Sequence, residues 1–256
     1  MERYADRRVL VTGAASGIGR AVVLRLLAEG GRAVAVDVAK EGLEETARLA
    51  AEIGSRERLV TAVIDISDET AVNEGVAAAV AGLGGLDVLV NAAGMLRGAR
   101  THECELELWN RVIGINLTGT FLMTRAALPA LLESGRGVVV NFSSTAAQFG
   151  HPYMAAYSAS KGGILSFTHS IAQEYSRQGL RAVNILPGGI SSGITDNIAS
   201  LVPEDVDWNL FLKLNAAIGQ GFGEPEHIAG VVAMVASDDG AFITGTEIRV
   251  DGGAHH

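Results

Sequence analysis

Short apolar runs alternate with longer amphipathic segments over the whole of this sequence, and this alternation restricts its fold most strongly. The pattern is typical of repeated strand–helix units around a parallel sheet that is buried on both faces. The runs predict seven strands, at residues 8–12, 33–37, 59–64, 86–91, 137–142, 181–186 and 246–250. Apolar spacing predicts helices between them, at residues 17–29, 41–53, 68–81, 106–133, 153–177 and 226–236.

These elements predict an α/β fold, a doubly wound parallel sheet of seven strands with helices on both faces. Strand–helix–strand crossovers are right-handed, so a crevice opens beyond the carboxyl ends of the strands, where functional residues are expected. No linker, low-complexity tract or fixed-period repeat divides the chain, and residues 1–256 are expected to form a single domain. The stretch 188–223 fits the pattern worst, because it is long, apolar and without a clear strand, and it is the candidate substrate lid.

Composition and charge exclude several classes of partner. Hydrophobic residues make up 48% and charged residues 19% of the 256 residues, which is a globular composition. The net charge is −9 and no basic run stands out, so neither nucleic acid nor a membrane surface is an expected partner. The single Cys104 cannot form an intramolecular disulfide, and the N-terminus lacks a signal-peptide pattern. The longest apolar stretch, 75–86, is too short to span a bilayer, and a cytoplasmic location is expected.

A glycine-rich loop, TGAASGIG at residues 12–19, joins the first predicted strand to a predicted helix. In such a loop the backbone approaches a pyrophosphate with no Cβ in the way, while the helix N-terminus offers free N–H groups and a positive dipole. The spacing G-x-x-x-G-x-G differs from the general dinucleotide motif, and a tight turn in the connection is the alternative. The context of strand and helix favours a Rossmann-type cofactor site at Gly13, Gly17 and Gly19.

Asp37 closes the second predicted strand, 18 residues after Gly19. A carboxylate there accepts hydrogen bonds from the adenosine ribose hydroxyls and repels a 2′-phosphate. A site for NADP would place a cation near that phosphate, whereas Ser16 precedes Gly17 and Val38 follows Asp37. The sequence therefore predicts NAD rather than NADP as the cofactor. A solvated turn at the end of a strand is the alternative interpretation of Asp37.

Tyr157 and Lys161 are spaced i, i+4 on one face of a predicted helix. An ammonium close to a phenol stabilises the phenolate and lowers its pKa toward neutrality, where it exchanges a proton with an alcohol or carbonyl. Ser144 follows the fifth predicted strand, at the edge where ligands bind, and its hydroxyl is expected to hold the reacting oxygen. Singly, a half-buried tyrosine, a solvated lysine and a turn serine are ordinary features, but their joint occurrence favours an acid–base site.

Together these motifs resemble the classical short-chain dehydrogenase/reductase family. The matching segments follow the family's order over nearly the whole chain: TGAASGIG at 12–19, NAAG at 91–94, NLTG at 116–119, Ser144, Tyr157 with Lys161, and PG at 187–188. Each motif is moderately specific, and the ordered set is much more so. Ala92 stands where members often have asparagine.

The resemblance implies a catalytic tetrad of Asn116, Ser144, Tyr157 and Lys161. Tyr157 would be the acid/base, Ser144 would hydrogen-bond the substrate oxygen, Lys161 would tune Tyr157 and bind the nicotinamide ribose, and Asn116 would support a proton-relay water. The resemblance implies a homotetramer and further cofactor contacts from Ser16, Ile18, Asp65, Ile66, Asn91, Gly94, Tyr157, Lys161, Pro187, Gly188, Ile190 and Ser192. Ser192 stands where many members have threonine, and the hydroxyl is retained.

The expected reaction is reversible hydride transfer between NAD and a secondary alcohol or ketone. The many apolar side chains of the lid favour a hydrophobic substrate, such as a steroid, a cyclic alcohol or an acyl chain, and packing of two short lid helices explains them equally well. A 3-oxoacyl-carrier-protein or acyl-CoA reductase is the alternative function. Asp37 weakens it, and Arg97, Arg100 and Arg111 keep it open.

Two other functions compete. GISSG at 189–193 matches the nucleophile motif G-x-S-x-G, with Asp196 and His227 in the order of α/β-hydrolases, but PG at 187–188 separates the motif from the strand. A nucleotide-binding regulator without turnover is the second, against which the intact tetrad argues. No paired ligand spacing occurs among His102, Cys104, His151, His169 and His227, so no metal is expected and these are expected to be ordinary surface or partly buried residues. His255 and His256 are expected to have no role.

Overall fold

The computed structural model describes residues 2–191, 198–218 and 221–255. Its sheet has seven parallel strands in the spatial order β3–β2–β1–β4–β5–β6–β7. The strands are β1 (Arg8–Thr12), β2 (Arg32–Asp37), β3 (Leu59–Val63), β4 (Val88–Asn91), β5 (Val138–Phe142), β6 (Arg181–Pro187) and β7 (Thr246–Val250). The α/β fold class is confirmed, and the strand bounds differ from those expected by no more than a few residues.

Helices cover both faces of the sheet. They are α1 (Gly17–Ala28), α2 (Lys40–Glu52), α3 (Glu69–Leu83), α4 (Leu106–Ile113), α5 (Gly119–Glu133), α6 (Ala155–Glu174), α7 (Ile198–Leu201) and α8 (Pro225–Val235). A short 3-10 helix, Trp208–Leu214, follows α7. Within the described ranges, no helix combines the length and apolar character that crossing a membrane requires.

The core forms two layers, one on each face of the sheet, because successive strand residues point to opposite sides. In β1, Val9 and Val11 pack with α1 and α8, whereas Leu10 between them packs with α3 and α5. All these side chains are fully buried. The central strands β4 and β5 are almost continuously apolar because neither of their faces meets water, whereas the edge strands β3 and β7 are partly exposed.

The chain reverses its winding direction at β1, which has β2 on one side and β4 on the other. The loops after β1 and β4 therefore diverge and leave a crevice at the carboxyl edge of the sheet. The two loops touch at Gly13, whose φ of 68° lies in the left-handed region. A Cβ on Gly13 would lie 2.7 Å from the Ala93 nitrogen, so glycine is needed there for conformation and for space.

The expected helix 106–133 has the observed bounds but is not a regular α-helix throughout. A π-helical turn, Gly114–Thr118, separates α4 from α5, and Asn116 lies within it. At the start of α5, Gly119 packs so closely on Ile66 that a Cβ would lie 2.8 Å from its side chain. π turns insert one extra residue into a helix and occur frequently at functional sites. The apolar periodicity of the sequence predicted the two ends of this helix but not the π-helical turn within it.

Opposite the crevice, the buried carboxylate of Asp87 joins the starts of three strands. It accepts hydrogen bonds of 2.9 Å from both the backbone N–H and Nε of Arg8, and one of 3.0 Å from Nε of Arg136. These residues precede or open β4, β1 and β5. Burial alone raises the pKa of this carboxyl, but the hydrogen bonds from Arg8 and Arg136 outweigh burial and hold the pKa at about 2.

We expect Asp87→Asn to lower the free energy of unfolding by about 3 kcal/mol at pH 7, because it leaves two guanidinium groups without their buried counter-charge. The pKa of Asp87 is depressed in the folded chain, so its contribution is present above pH ~4 and is lost as the pH falls toward about 2. Denaturant unfolding of both proteins from pH 7 to pH 2 should therefore show a difference that shrinks on acidification. Asp239→Asn, which removes an exposed partner of Arg3, should cost less than about 1 kcal/mol. Equal effects of the two substitutions would contradict the role of Asp87.

Candidate active site at the carboxyl edge of the sheet

A cavity of about 460 Å³ opens in the crevice at the carboxyl edge. Several residues that the sequence singles out line it: Ile18, Gly94, Ser144, Tyr157, Lys161, Pro187, Gly188 and Ile190. Most of the remaining wall is apolar, with Leu96, Phe142, Met154, Trp208, Phe211, Leu212, Leu214 and Phe222. The cavity therefore presents a small group of hydroxyl and ammonium groups to an otherwise hydrophobic space.

Ser144 and Tyr157 meet in this cavity. Ser144 lies two residues beyond the end of β5, and its Oγ accepts a hydrogen bond of 3.1 Å from the backbone N–H of Ala146, which fixes the hydroxyl. Tyr157 lies in the first turn of α6 and is hydrogen-bonded to Ser144. The two hydroxyl groups are thus held together by a strand end and a helix start.

Lys161 follows one helical turn after Tyr157 and is 5% exposed. Its Nζ donates a hydrogen bond of 2.8 Å to the carbonyl of Phe142 and lies 5.6 Å from the centre of the Tyr157 ring. The hydroxyl of Ser143 donates in return to the carbonyl of Lys161, at 2.8 Å. These reciprocal bonds tie α6 to the end of β5. Burial lowers the pKa of Lys161 to about 8.

The electrostatics of Tyr157 differ from the expectation. Burial of the ring raises the pKa of Tyr157, and the hydrogen bond with Ser144 lowers it by less. The prediction that Lys161 brings this pKa toward neutrality is therefore wrong for the chain by itself. The physical reason is that both side chains are buried, and that the Lys161 ammonium is directed at the carbonyl of Phe142.

Asn116 is fully buried beside this group. Its Nδ2 donates to the carbonyl of Met95 at 2.9 Å and to Oγ of Ser160 at 3.0 Å, while its Oδ1 accepts from the N–H of Met95 at 2.8 Å. The side chain thus fastens the loop after β4 to α6. A Cβ on Gly94 would lie 3.2 Å from Asn116 Oδ1 and 3.5 Å from Lys161 Nζ, so this loop passes close to both polar groups.

The glycine loop and Asp37 lie side by side. One oxygen of Asp37 accepts a hydrogen bond of 3.1 Å from the N–H of Ala15 in the loop, and the other accepts one of 3.0 Å from Ala39. Ser16 is the N-cap residue of α1, but its side chain makes no capping hydrogen bond. The first turn of α1 therefore presents backbone N–H groups that its own cap does not satisfy, next to a carboxylate.

The other expected cofactor residues separate into two groups. Asp65 lies after β3 at the same edge, where Ser67 donates two hydrogen bonds to its carboxylate and lowers its pKa. In contrast, Ile66 is buried in the core, and Asn91 directs its amide between the strands. Their side chains face the interior rather than the cavity. Ser192 lies outside the described residues.

Sequence reasoning missed a row of buried amides beneath the site. Asn91, Asn141 and Asn184 stand in register on β4, β5 and β6. Nδ2 of Asn91 donates to Oδ1 of Asn141 at 2.8 Å, and Nδ2 of Asn141 donates to Oγ1 of Thr168 at 2.8 Å. An asparagine within each of three apolar runs was the available signal, because burial between strands requires amides to pair.

Two histidines that were expected to be ordinary also line the cavity. His151 precedes α6, and His255 stacks on Phe149 with the ring centres 4.1 Å apart. The sequence did not predict that they line the cavity, because no local sequence pattern brings residue 255 to residue 149. Among the described residues, no three side chains of the metal-ligating types lie close enough together to hold an ion.

Comparison with known proteins places this geometry in a family. The family model for short chain dehydrogenases matches residues 7–201. Inactive 2-(S)-hydroxypropyl-CoM dehydrogenase 2 of Xanthobacter autotrophicus is 42% identical over 80% of this chain and 88% of its own length. Levodione reductase of Leifsonia aquatica is 36% identical over 98% of this chain and 95% of its own length.

A solved structure agrees with the sequence relatives. The crystal structure of carveol dehydrogenase from Mycobacterium avium in complex with NAD has a TM-score of 0.91 at 28% identity, and the match covers 99% of both chains. The resemblance inferred from the motifs is thereby confirmed. The chain belongs to the short-chain dehydrogenase/reductase family, whose members are oxidoreductases that act on CH–OH groups.

Proposed function

We propose that this chain is an NAD-dependent oxidoreductase that transfers a hydride between nicotinamide and the carbon of a hydrophobic secondary alcohol or ketone, of the hydroxysteroid or cyclic alcohol type. One observation carries the proposal. The Tyr157 hydroxyl is hydrogen-bonded to Ser144, has the buried ammonium of Lys161 behind it, and faces a largely apolar cavity. Such a group can hold a substrate oxygen and exchange one proton with it.

The chain's own residues fit a dinucleotide. The uncapped first turn of α1, with the Gly13–Gly19 loop, would hold the pyrophosphate, and Asp37 beside it would accept from the adenosine ribose. Asp65 and the backbone of Ile66 would adjoin the adenine, and Asn91 would place the loop that carries Gly94. The nicotinamide end would lie between Ile18, Gly94, Lys161, Pro187, Gly188 and Ile190. The resemblance adds Ser192, which lies outside the described residues. NAD, when bound, supplies the hydride donor or acceptor and the charge of its ring.

The choice of NAD over NADP is supported by charge. The carboxylate of Asp37 is half-exposed beside the glycine loop, and the next residue, Val38, is exposed and uncharged. A 2′-phosphate at the ribose would meet this negative charge without a cation in the adjoining residues Ser16 and Val38. The related carveol dehydrogenase was crystallised with NAD.

The proposed mechanism moves one proton at Tyr157 Oη. In the direction of reduction, the Tyr157 hydroxyl donates its proton to the carbonyl oxygen of the substrate, while the Ser144 hydroxyl holds that oxygen by a hydrogen bond. In the direction of oxidation, the Tyr157 oxygen accepts the proton of the substrate hydroxyl. Lys161 supplies positive potential behind the ring, and Asn116 fixes the loop and helix around it. The apolar wall keeps bulk water from competing for the proton.

The segment 188–223 is proposed to be the substrate lid, and both expected explanations of its apolar residues have support. Leu201, Val202 and Val206 pack into a small core with Leu96 and Met154. Trp208 and Leu212 instead line the cavity while remaining 47% and 62% exposed. Large apolar side chains that face a cavity and are still exposed favour a hydrophobic substrate that covers them.

Three alternatives have less support. For an acyl-carrier or acyl-CoA reductase, Arg100 is neutralised by Asp205 at 2.7 Å, which weakens the expected basic entrance. For a hydrolase, Nδ1 of His227 accepts the N–H of Glu224 at 3.0 Å, so this nitrogen cannot donate to an orienting carboxylate. A nucleotide-binding protein without turnover is favoured only by the relative described as inactive.

Assembly and location complete the proposal: a homotetramer in the cytoplasm. Exposed apolar side chains support the assembly, because α4 and α5 present Leu106 and Phe121 at 70% and 40% exposure and Phe242 is entirely exposed. Exposed apolar side chains of this size are available for contact with another subunit. The cytoplasmic location is supported by the single, unpaired Cys104.

Tyr157→Phe is expected to reduce kcat by at least about 100-fold, because it removes the only proton that the mechanism moves. NAD binding should change by less than about twofold, since the ring is retained. Turnover of cyclohexanol followed by NADH absorbance, together with NAD titration, measures both effects. Tyr175→Phe, at the other end of α6, is the matched control and should retain turnover. Full activity in Tyr157→Phe would reject the proposed site, whereas an inactive wild-type protein that still binds NAD would support the regulator.

Asp37→Ala is expected to raise the dissociation constant of NAD by about tenfold or more, because ribose hydroxyls lose a charged acceptor. The relative affinity for NADP should rise, since the negative charge beside the 2′ position is gone. Glu41→Ala removes one exposed negative charge at the start of α2 and should leave both affinities unchanged within about twofold. A preference for NADP in the wild-type protein would contradict the cofactor assignment.

A further inference from the structure

His151 is one of the polar side chains in the cavity that the proposed mechanism does not use, and its ring is held in a defined orientation. Nδ1 of His151 lies 3.2 Å from the backbone carbonyl of Phe149. A carbonyl only accepts hydrogen bonds, so this contact requires the proton on Nδ1. In the neutral ring Nε2 then carries the lone pair and is an acceptor.

The environment keeps the His151 ring neutral. Burial lowers the pKa of His151, the carbonyl of Phe149 raises it by less, and the neighbouring His255 lowers it again. The centre of the His255 ring lies 5.6 Å away. The charged groups behind His255, Arg249 and Asp251, are paired with each other at 3.4 Å. A neutral acceptor is therefore available to a ligand at physiological pH.

The ring that carries this acceptor nitrogen lines the cavity. His151 and Thr145 both line it, and Nε2 lies 3.4 Å from Oγ1 of Thr145, which is longer than a normal hydrogen bond. The opposite edge of the ring is fixed to the backbone of Phe149. A ligand hydroxyl that comes closer to Nε2 than 3.4 Å would therefore be a better donor than Thr145. Thr145 follows Ser144 in the chain, so this acceptor belongs to the same end of the cavity as the reacting group.

We propose that His151 accepts a hydrogen bond from a second hydroxyl of the substrate. This inference rests on the proposed function and narrows its substrate class to apolar alcohols that carry a further hydroxyl group, with the corresponding hydroxyketones as the oxidised partners. A second carbonyl, ether or carboxylate lacks the donor that Nε2 needs. In a mostly hydrophobic wall, a fixed acceptor sets the orientation of the ligand.

The test compares cyclohexanol with cyclohexane-1,2-diol, -1,3-diol and -1,4-diol as substrates with NAD, in the wild-type protein and in His151→Leu and His151→Gln. We expect at least one diol to exceed cyclohexanol in kcat/KM by about fivefold, the contribution of one neutral hydrogen bond. The preference should arise mainly in KM, because the bond is made in the ground state and in the transition state alike. It should disappear in His151→Leu and return in part in His151→Gln, whose amide oxygen is also an acceptor.

His102→Leu is the matched control, since this histidine is exposed and lies outside the cavity, and it should retain the wild-type preference. Thermal unfolding and NAD titration show whether each variant is folded. The inference is overturned if no diol exceeds cyclohexanol, or if the preference survives in His151→Leu. Failure of the wild-type protein to oxidise any of the four alcohols would instead overturn the proposed function and the inference with it.

Discussion

The site depends on one hydrogen bond, from the buried ammonium of Lys161 to the carbonyl of Phe142. A lysine 5% exposed is costly to bury, and this single contact with the end of β5 offsets only part of the cost, as the lowered pKa shows. The contact nevertheless determines how α6 lies on the sheet. With α6 fixed there, and Ser143 bonded to the carbonyl of Lys161, Tyr157 is brought to Ser144. The geometry of the two hydroxyl groups is thus a consequence of where one charge is buried.

The buried amides beneath the site are a second case in which buried polar groups fix the positions of the elements around the site. The row from Asn91 through Asn141 joins β4 and β5 to Thr124 on α5 and Thr168 on α6. Two of its amide oxygens, on Asn91 and Asn184, are buried without a hydrogen-bond partner in the described part of the chain. Each costs about 1–3 kcal/mol, which an apolar side chain would avoid. What the amides provide is a fixed register between neighbouring strand ends, and the loops that carry Gly94 and Ser144 start from those ends.

The sequence was sufficient to predict the central strands of the sheet, because a strand buried on both faces must be almost continuously apolar, and β1 was predicted to the residue. The edge strand β7, which is only partly buried and alternates apolar with polar residues, was also predicted to the residue. The sequence also predicted that Ser144, Tyr157 and Lys161 lie close together, since the end of β5 and one face of α6 meet at the carboxyl edge of the sheet. The π turn at Asn116 was missed because one extra residue in a turn leaves the apolar spacing of the helix almost unchanged. The hydrogen bonds of Asn116 with Met95 were missed because the two residues are distant in sequence. His151 and His255 were missed for the same reason: only the folded loops bring them to the cavity wall.

The raised pKa of Tyr157 and the lowered pKa of Lys161 define what the proposed mechanism still requires. At pH 7 the chain alone holds a neutral phenol beside an ammonium, so it is ready to give a proton to a carbonyl oxygen. To accept a proton from an alcohol, the phenol must first ionise while Lys161 keeps its charge. Raising the pH does not achieve this, because Lys161 loses its proton near pH 8, before a phenol with a raised pKa does. The order of the two titrations is reversed only by further positive charge or hydrogen bonds at the phenolate. Ser144 supplies one such hydrogen bond, but burial still keeps the pKa of Tyr157 raised. The remaining stabilisation of the phenolate must come from the bound cofactor, so oxidation depends on the cofactor more strongly than reduction does.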